Sequence, residues 1–205
     1  DKDELRSILT LDKAVANGST YAEQAFGILD RSRTEVRYNH EWLSGLSFER
    51  FIELASNFTL QQFLTRESFR KRWDAGDAVF LHETFYAIMQ AYDACALDAD
   101  VQIGGSDQLF NIVTAARKLM ANLGKRPNIG IILDILPGTD GSIKMSKSLG
   151  NHIPITGDAV DMYGKVMSIP DAAMPQYFRM VTPLKPDEID EILHEMDSGK
   201  LHPRD

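Results

Sequence analysis

The chain has 205 residues, 43% of them hydrophobic and 25% charged, which fits one globular domain plus part of a second and excludes a disordered chain. No apolar run approaches the roughly 20 residues needed to cross a bilayer, and the charged start Asp1-Lys2-Asp3-Glu4 reads as no signal peptide. Twenty-two basic against 30 acidic residues leave a net charge of −8, which argues against a general nucleic-acid coat but leaves room for one structured RNA on a local patch.

In chain order, the residues to about Ser19 are weakly patterned and read as a loop. Thr20 stands three residues before Glu23, a capping box that predicts a helix over 21–29. Residues 36–39 read as a short strand, and Ser47 caps a helix over 48–56. Two more helices are expected over 60–73 and 81–97, the second long and largely apolar. Cys95, the single cysteine, falls inside it and reads as a buried small hydrophobe. One cysteine allows no internal disulfide framework and suits a reducing cytoplasm. A brief strand follows at 101–104, then a helix capped by Ser106 that reaches Asn122 and is stopped by Gly124. The isoleucine-rich residues 128–136 read as a buried strand, and Pro137-Gly138-Thr139-Asp140-Gly141 breaks regular structure. Beyond a loop over 142–154, three helical segments at 158–168, 172–181 and 186–196 have no strand among them.

This order predicts an α/β region over 1–154: a partial doubly wound, Rossmann-like nucleotide-binding fold with connective helices and a lysine-bearing loop. From 155 to 205 it predicts the start of an all-helical domain. His40, His82, His152, His194 and His202 are scattered without paired ligand spacing, so no metal site is read. The basic cluster Arg66, Arg70, Lys71 and Arg72 reads equally as a solvated helix face and as an RNA contact. The apolar residues Leu60, Phe63, Leu64, Phe69, Trp73, Val79 and Phe80 read equally as an internal core and as an interface.

Three constellations carry chemistry. Tyr86, Gln90 and Asp93 recur at i, i+4 and i+7, so they share one face of the apolar helix. Burying an amide and a carboxylate there demands partners, supplied by either an internal network or a ligand. Gln102-Ile-Gly-Gly-Ser-Asp-Gln108 ends a strand in glycines and opens a helix, so a ligand can approach the backbone and its free amides. Asp107 offers an acceptor suited to ribose hydroxyls, and Gln108 both a donor and an acceptor. A plain turn before a capped helix is the alternative. Lys144-Met-Ser-Lys-Ser-Leu-Gly-Asn151 sets two lysines three apart among small hydroxyl residues. Such mobile point charges can surround a polyphosphate whose charge shifts during reaction, and a solvated basic turn is the alternative.

Lys144-Met-Ser-Lys-Ser148 is similar, without substitution, to the signature loop of class I aminoacyl-tRNA synthetases. With Gly104-Gly-Ser-Asp-Gln108 and the Tyr-x-x-x-Gln-x-x-Asp helix before it, the chain resembles tyrosyl-tRNA synthetases in particular. The likeness extends through Thr34-Glu-Val-Arg-Tyr-Asn-His-Glu-Trp-Leu43 and Met162-Tyr-Gly-Lys-Val-Met-Ser-Ile-Pro170. It implies that Asp93 accepts the phenolic hydroxyl of tyrosine, that Tyr86 and Gln90 hold its α-ammonium group, and that Gln102 supports the pocket wall. Gly105 and Asp107 would lie against the adenylate ribose and Gln108 near the reacting carboxylate. Lys144 and Lys147 would close over ATP, with Ser146 and Ser148 supporting the loop. The implied reaction joins tyrosine and ATP into tyrosyl-adenylate and passes the tyrosyl group to tRNA(Tyr), with Mg2+ accompanying the ATP, in a cytoplasmic homodimer. Within the same class a tryptophanyl enzyme is the nearest alternative, and a non-catalytic module binding RNA or protein is another. The family's His-Ile-Gly-His signature does not occur in these 205 residues. The resemblance therefore implies a portion of such an enzyme, inactive by itself, lacking that segment and a C-terminal RNA-binding tail.

Overall fold

A computed structural model of the chain describes residues 11–205, and it divides at Asp134 and Ile135 into two units. The first opens with helix α1, Leu11–Ala25, where a loop had been expected up to Ser19. Residues 1–10 of that expected loop lie outside the described residues. Thr20 does not cap a helix: its hydroxyl donates to Asn17 O at 2.7 Å, and that of Ser19 to Ala16 O at 2.8 Å. Both hydroxyls are satisfied by the preceding turn, so a helix passes through them. Residues 36–39 form no strand; the chain leads into the short helix α2, His40–Leu43, with Glu41 Oε1 accepting from Tyr38 N at 2.9 Å.

Helix α3, Phe48–Ala55, starts where Ser47 Oγ accepts from Arg50 N at 3.1 Å. The single helix expected over 60–73 is two, α4 at Leu60–Phe63 and α5 at Glu67–Ala75. Arg66 takes an extended conformation between them, and Gly76, at φ +75°, ends α5 in the left-handed region that glycine enters without a steric penalty. The basic cluster is engaged locally. Arg70 pairs with Asp74 at 2.9 Å, Lys71 with Glu67 at 2.6 Å, and Arg66 stacks 4.5 Å over the Phe69 ring. Arg72 grips Glu83 with both terminal guanidinium nitrogens at 2.9 and 2.7 Å, tying α5 to helix α6, Leu81–Ala96.

Strand β1, Val101–Gly105, is followed by a 3-10 turn at Ser106–Gln108, a π-helical stretch at Phe110–Ala116, and helix α7 at Arg117–Asn122. Ser106 makes no side-chain cap, so the one capped helix expected here is a composite. Strand β2, Ile129–Leu133, returns parallel to β1, pairing Val101 with Ile129 through to Gly105 with Leu133. This is a βαβ unit, the element of a doubly wound fold. The second strand is shorter and less buried than expected. Ile129, Ile131 and Leu133 are exposed, because the crossover covers one face of a sheet that has two strands among the described residues. On the covered face a Cβ at Gly104 would stand 2.7 Å from Ile112 Cδ1, and one at Gly130 would stand 2.9 Å from Val113 Cγ2. Glycine at both positions lets the crossover helix lie close on the sheet.

The core of this unit joins Ala87, Ala91 and Ala94 of α6 to Ala115, Ala116, Leu119 and Met120 of the crossover, with Leu54, Phe63 and Phe69 beside them. Each large apolar side chain so buried contributes about 1.5–3 kcal/mol. Cys95 lies in this core, where burial pushes its thiol up to about 11. In the second unit the lysine loop leads to α8 at Ala159–Met167, α9 at Met174–Val181 and α10 at Pro186–Asp197. Asp158 caps α8 by accepting from Val160 N and Asp161 N at 3.0 and 3.1 Å. Among its described residues this unit has no strand, only an antiparallel bridge between Pro137 and Lys144. The α/β architecture followed by helices is the one the sequence predicts. No helix among the described residues is long and apolar enough to cross a membrane.

Candidate active site

Helix α6 carries Tyr86, Gln90 and Asp93 on one side, and the structure gives each a different setting. Asp93 is half-buried, and its carboxylate accepts from Trp42 Nε1 at 2.7 Å and Asn39 Nδ2 at 3.4 Å. Burial raises its pKa, while the two donors act the other way. The segment 39–43, part of the 34–43 stretch that carries the resemblance, is thus the donor shelf for this carboxylate. Tyr86 is 62% exposed, its ring edge-on to His82 with centroids 6.4 Å apart.

Gln90 points toward the start of the crossover helix. Its Nε2 donates to Gln108 Oε1 at 3.1 Å, and Asn111 Nδ2 donates to Gln90 Oε1 and to Gln108 Oε1, both at 3.0 Å. Two of the predicted residues are therefore brought into contact, and a third amide, buried Asn111, completes the triangle. Gln102, the second residue of β1, accepts from Asn128 Nδ2 at 2.6 Å. Asn128 is fully buried, so Gln102 gives its amide a partner inside the sheet-helix layer. Gly105 ends β1, and Asp107 is exposed in the 3-10 turn after it. Strand end, turn and amide triangle thus share one end of the sheet, the end at which open α/β folds bind ligands.

The lysine loop, in the second unit, is organised by Asn151. Its Oδ1 accepts from Ser146 N at 2.8 Å, its carbonyl accepts from Thr139 N at 2.9 Å, and its Nδ2 donates to Asp140. Asp140 Oδ1 also takes the backbone N–H groups of Ile143 at 2.6 Å and Ser142 at 2.9 Å. These donors hold the Asp140 carboxyl far below the usual carboxylate range, the Ile143 N–H most of all. Gly138 lies so close to the Asn151 amide that no Cβ fits there. Ser146 Oγ and Ser148 Oγ pair at 2.8 Å, and Lys147 opens a 3-10 turn that ends at Gly150, φ +70°. Tyr177 OH of α9 donates to Pro137 O at 2.6 Å, which fixes the loop's base to the helices after it. Lys144 and Lys147 are both exposed.

The family model for class I tRNA synthetases (W and Y) matches residues 1–204. The chain belongs to this family. The tyrosine–tRNA ligase 2 of Clostridium acetobutylicum is 45% identical over 204 residues, covering 100% of this chain and 51% of that protein. The tyrosine–tRNA ligase of Carboxydothermus hydrogenoformans is 44% identical over 204 residues, with 100% and 49% covered. The chain thus spans about half the length of the curated relatives it matches. Among solved structures, tyrosyl-tRNA synthetase from Aeropyrum pernix superposes with a TM-score of 0.73 at 19% identity, covering 95% of this chain and 64% of that one. The Archaeoglobus fulgidus tyrosyl-tRNA synthetase complexed with L-tyrosine gives 0.69 at 22% identity, covering 95% and 68%. These last two likenesses are of fold.

Sequence reasoning missed Asn39, Trp42, Asn111, Asn128 and Asn151 as members of these networks. For Asn111 a signal existed, since it stands three residues after Gln108 on a helix that is otherwise apolar inward. Trp42 and Asn128 reach across the fold, and no local spacing marks such pairings.

Proposed function

We propose that the protein carrying this chain ligates tyrosine to tRNA(Tyr) through tyrosyl-adenylate, with ATP and its accompanying Mg2+ as substrate, in the cytoplasm. The observation that carries the reading is the α6 face. An acceptor at Asp93, held by Trp42 and Asn39, lies two helical turns from Tyr86, with Gln90 between and bonded to Gln108. That spacing suits an amino acid with a hydroxyl at its far end. In this reading Asp93 accepts the phenolic proton, Tyr86 and Gln90 hold the α-ammonium group, and Gln102 braces the wall through Asn128. Gly105 and Asp107 face the ribose, and Gln108 meets the reacting carboxylate.

Lys144 and Lys147 supply positive charge to the ATP phosphates, with Ser146 and Ser148 shaping their loop. Adenylyl transfer needs positioning and charge stabilisation and no protein nucleophile. The lysine loop therefore belongs functionally with the α/β domain, 1–154, and the helices from 155 with tRNA. The protein acts as a twofold homodimer in this reading. Support comes from Leu60, Trp73, Phe80 and Leu81, exposed along one groove over buried Phe63 and Phe69.

The test is tyrosine-dependent ATP–pyrophosphate exchange by the whole natural protein, with tryptophan and phenylalanine in parallel. Exchange driven by tyrosine alone supports the reading, and exchange driven by tryptophan overturns it. Sedimentation showing a monomer at high micromolar concentration would contradict the dimer.

A further inference from the structure

The amide triangle has a fixed sense. Asn111, only 6% exposed, uses one nitrogen to donate to two oxygens, Gln90 Oε1 and Gln108 Oε1, each at 3.0 Å. Gln90 Nε2 donates to the same Gln108 oxygen at 3.1 Å. An amide oxygen has two lone pairs, so the two donors fill Gln108 Oε1 and leave its side chain only N–H groups to offer. Gln90 is less constrained, and unlike Gln108 it keeps an acceptor position as well as one N–H group. One of its N–H groups is committed to Gln108, and its oxygen keeps one lone pair beyond the bond from Asn111.

We propose that Asn111 is a positioning residue that locks the two glutamine amides in opposite senses, Gln90 presenting an acceptor and Gln108 presenting donors. That pattern complements the ammonium and carboxylate of one α-amino acid zwitterion. The inference rests on the reading that this end of the sheet takes a free amino acid. Its chemistry can be checked against the reversed network. With all three amides turned over, Asn111 would accept two N–H groups, Gln108 would face a substrate carboxylate with its oxygen, and Gln90 would face an ammonium with a donor. Both contacts would then be repulsive. The cost of the observed sense is visible too: Asn111 Oδ1 is buried with no hydrogen-bond partner among the described residues. A side chain kept only to fill this space would not carry an orphaned acceptor. Asn111 sits in the π-helical stretch, three residues after Gln108, so the irregular turn sets the amide against both glutamines.

The experiment substitutes Asn111 in the whole natural protein and measures tyrosine-dependent ATP–pyrophosphate exchange beside a melting curve. Asn111→Asp keeps the shape but cannot donate. We expect it to raise KM for tyrosine about tenfold to a hundredfold, the loss of a hydrogen bond to a charged group. KM for ATP should stay within about a factor of two of wild type, a split that general loosening of the fold would not give. If Asn111→Asp does not fold, Asn111→Ala decides by the same reading, since it frees both amides without adding charge. Unchanged tyrosine KM, or equal rises for tyrosine and ATP, overturns the inference while normal wild-type exchange leaves the proposed function standing. A wild-type protein without tyrosine-dependent exchange overturns both.

Discussion

The indole nitrogen of Trp42 donates to the Asp93 carboxylate across 2.7 Å, joining the short helix α2 to the last turn of α6. The carboxylate is held in place by this bond, yet it is half-buried and its pKa is raised, burial being the larger influence. A raised carboxylate pKa means the folded state binds the proton more tightly than the unfolded chain does. Folding is therefore penalised by the ionised form. The penalty is absent below the unfolded value of about 3.9, sets in as pH rises through it, and is complete above the folded value. Asp93→Asn keeps an acceptor for Trp42 and removes the charge. We expect its melting temperature at pH 7 to equal or exceed wild type, the difference vanishing toward about pH 3. A clear loss of stability at pH 7 would mean that Trp42 and Asn39 outweigh the burial.

Lys147 opens the 3-10 turn of the lysine loop and is exposed. In the proposed reading its charge acts when negative charge moves among phosphate oxygens, whereas tyrosine is held by side chains of helix α6. Lys147→Ala in the whole natural protein should slow adenylate formation about a hundredfold and leave tyrosine affinity nearly unchanged. Single-turnover kinetics beside equilibrium tyrosine binding separates the two. If affinity falls as far as the rate, Lys147 belongs to the amino-acid pocket.

How much of this could be read from the chain depends on the range of the interaction. The 3.6-residue period marked α6 and its polar face because Tyr86, Gln90 and Asp93 are local to one helix. The cap at Ser47 was legible for the same reason. The helix through Ser19 and Thr20 was not, since those hydroxyls can either cap a helix or bond back to the preceding turn. The break at Arg66 escaped notice because the apolar pattern continues across it. The exposure of β2 is a property of how many strands flank it, which a single isoleucine-rich segment does not encode. In the site, motif spacing pointed to Gln90 and Gln108, while their link through Asn111 depends on the angle between two elements.

Asn151 gives a sharper case, standing at the end of the lysine motif yet acting as its organiser. Removing its amide strands the N–H of Ser146 and a donor contact to Asp140. Asn151→Ala should destabilise the second unit by about 1–3 kcal/mol, the cost of leaving a hydrogen-bonding group unsatisfied. Proteolysis should then cut preferentially within 139–151. A variant that resists protease as well as wild type would show that the Tyr177 bond to Pro137 suffices to hold the loop.

The substrate assignment turns on Asp93 more than on any other residue. A site built to bond a hydroxyl rejects the analogue lacking it, because its buried polar group is left unpaired. Asp93→Ala should therefore weaken tyrosine and leave phenylalanine little changed. The measurement is adenylate formation with each amino acid by the folded whole natural protein, wild type and Asp93→Ala, expressed as the ratio of kcat/KM values. We expect the preference for tyrosine over phenylalanine to fall at least about tenfold, the worth of one hydrogen bond to a charged group. An unchanged ratio, with the mutation lowering only stability, would contradict the placement of the phenolic hydroxyl at Asp93 and with it the tyrosine pocket.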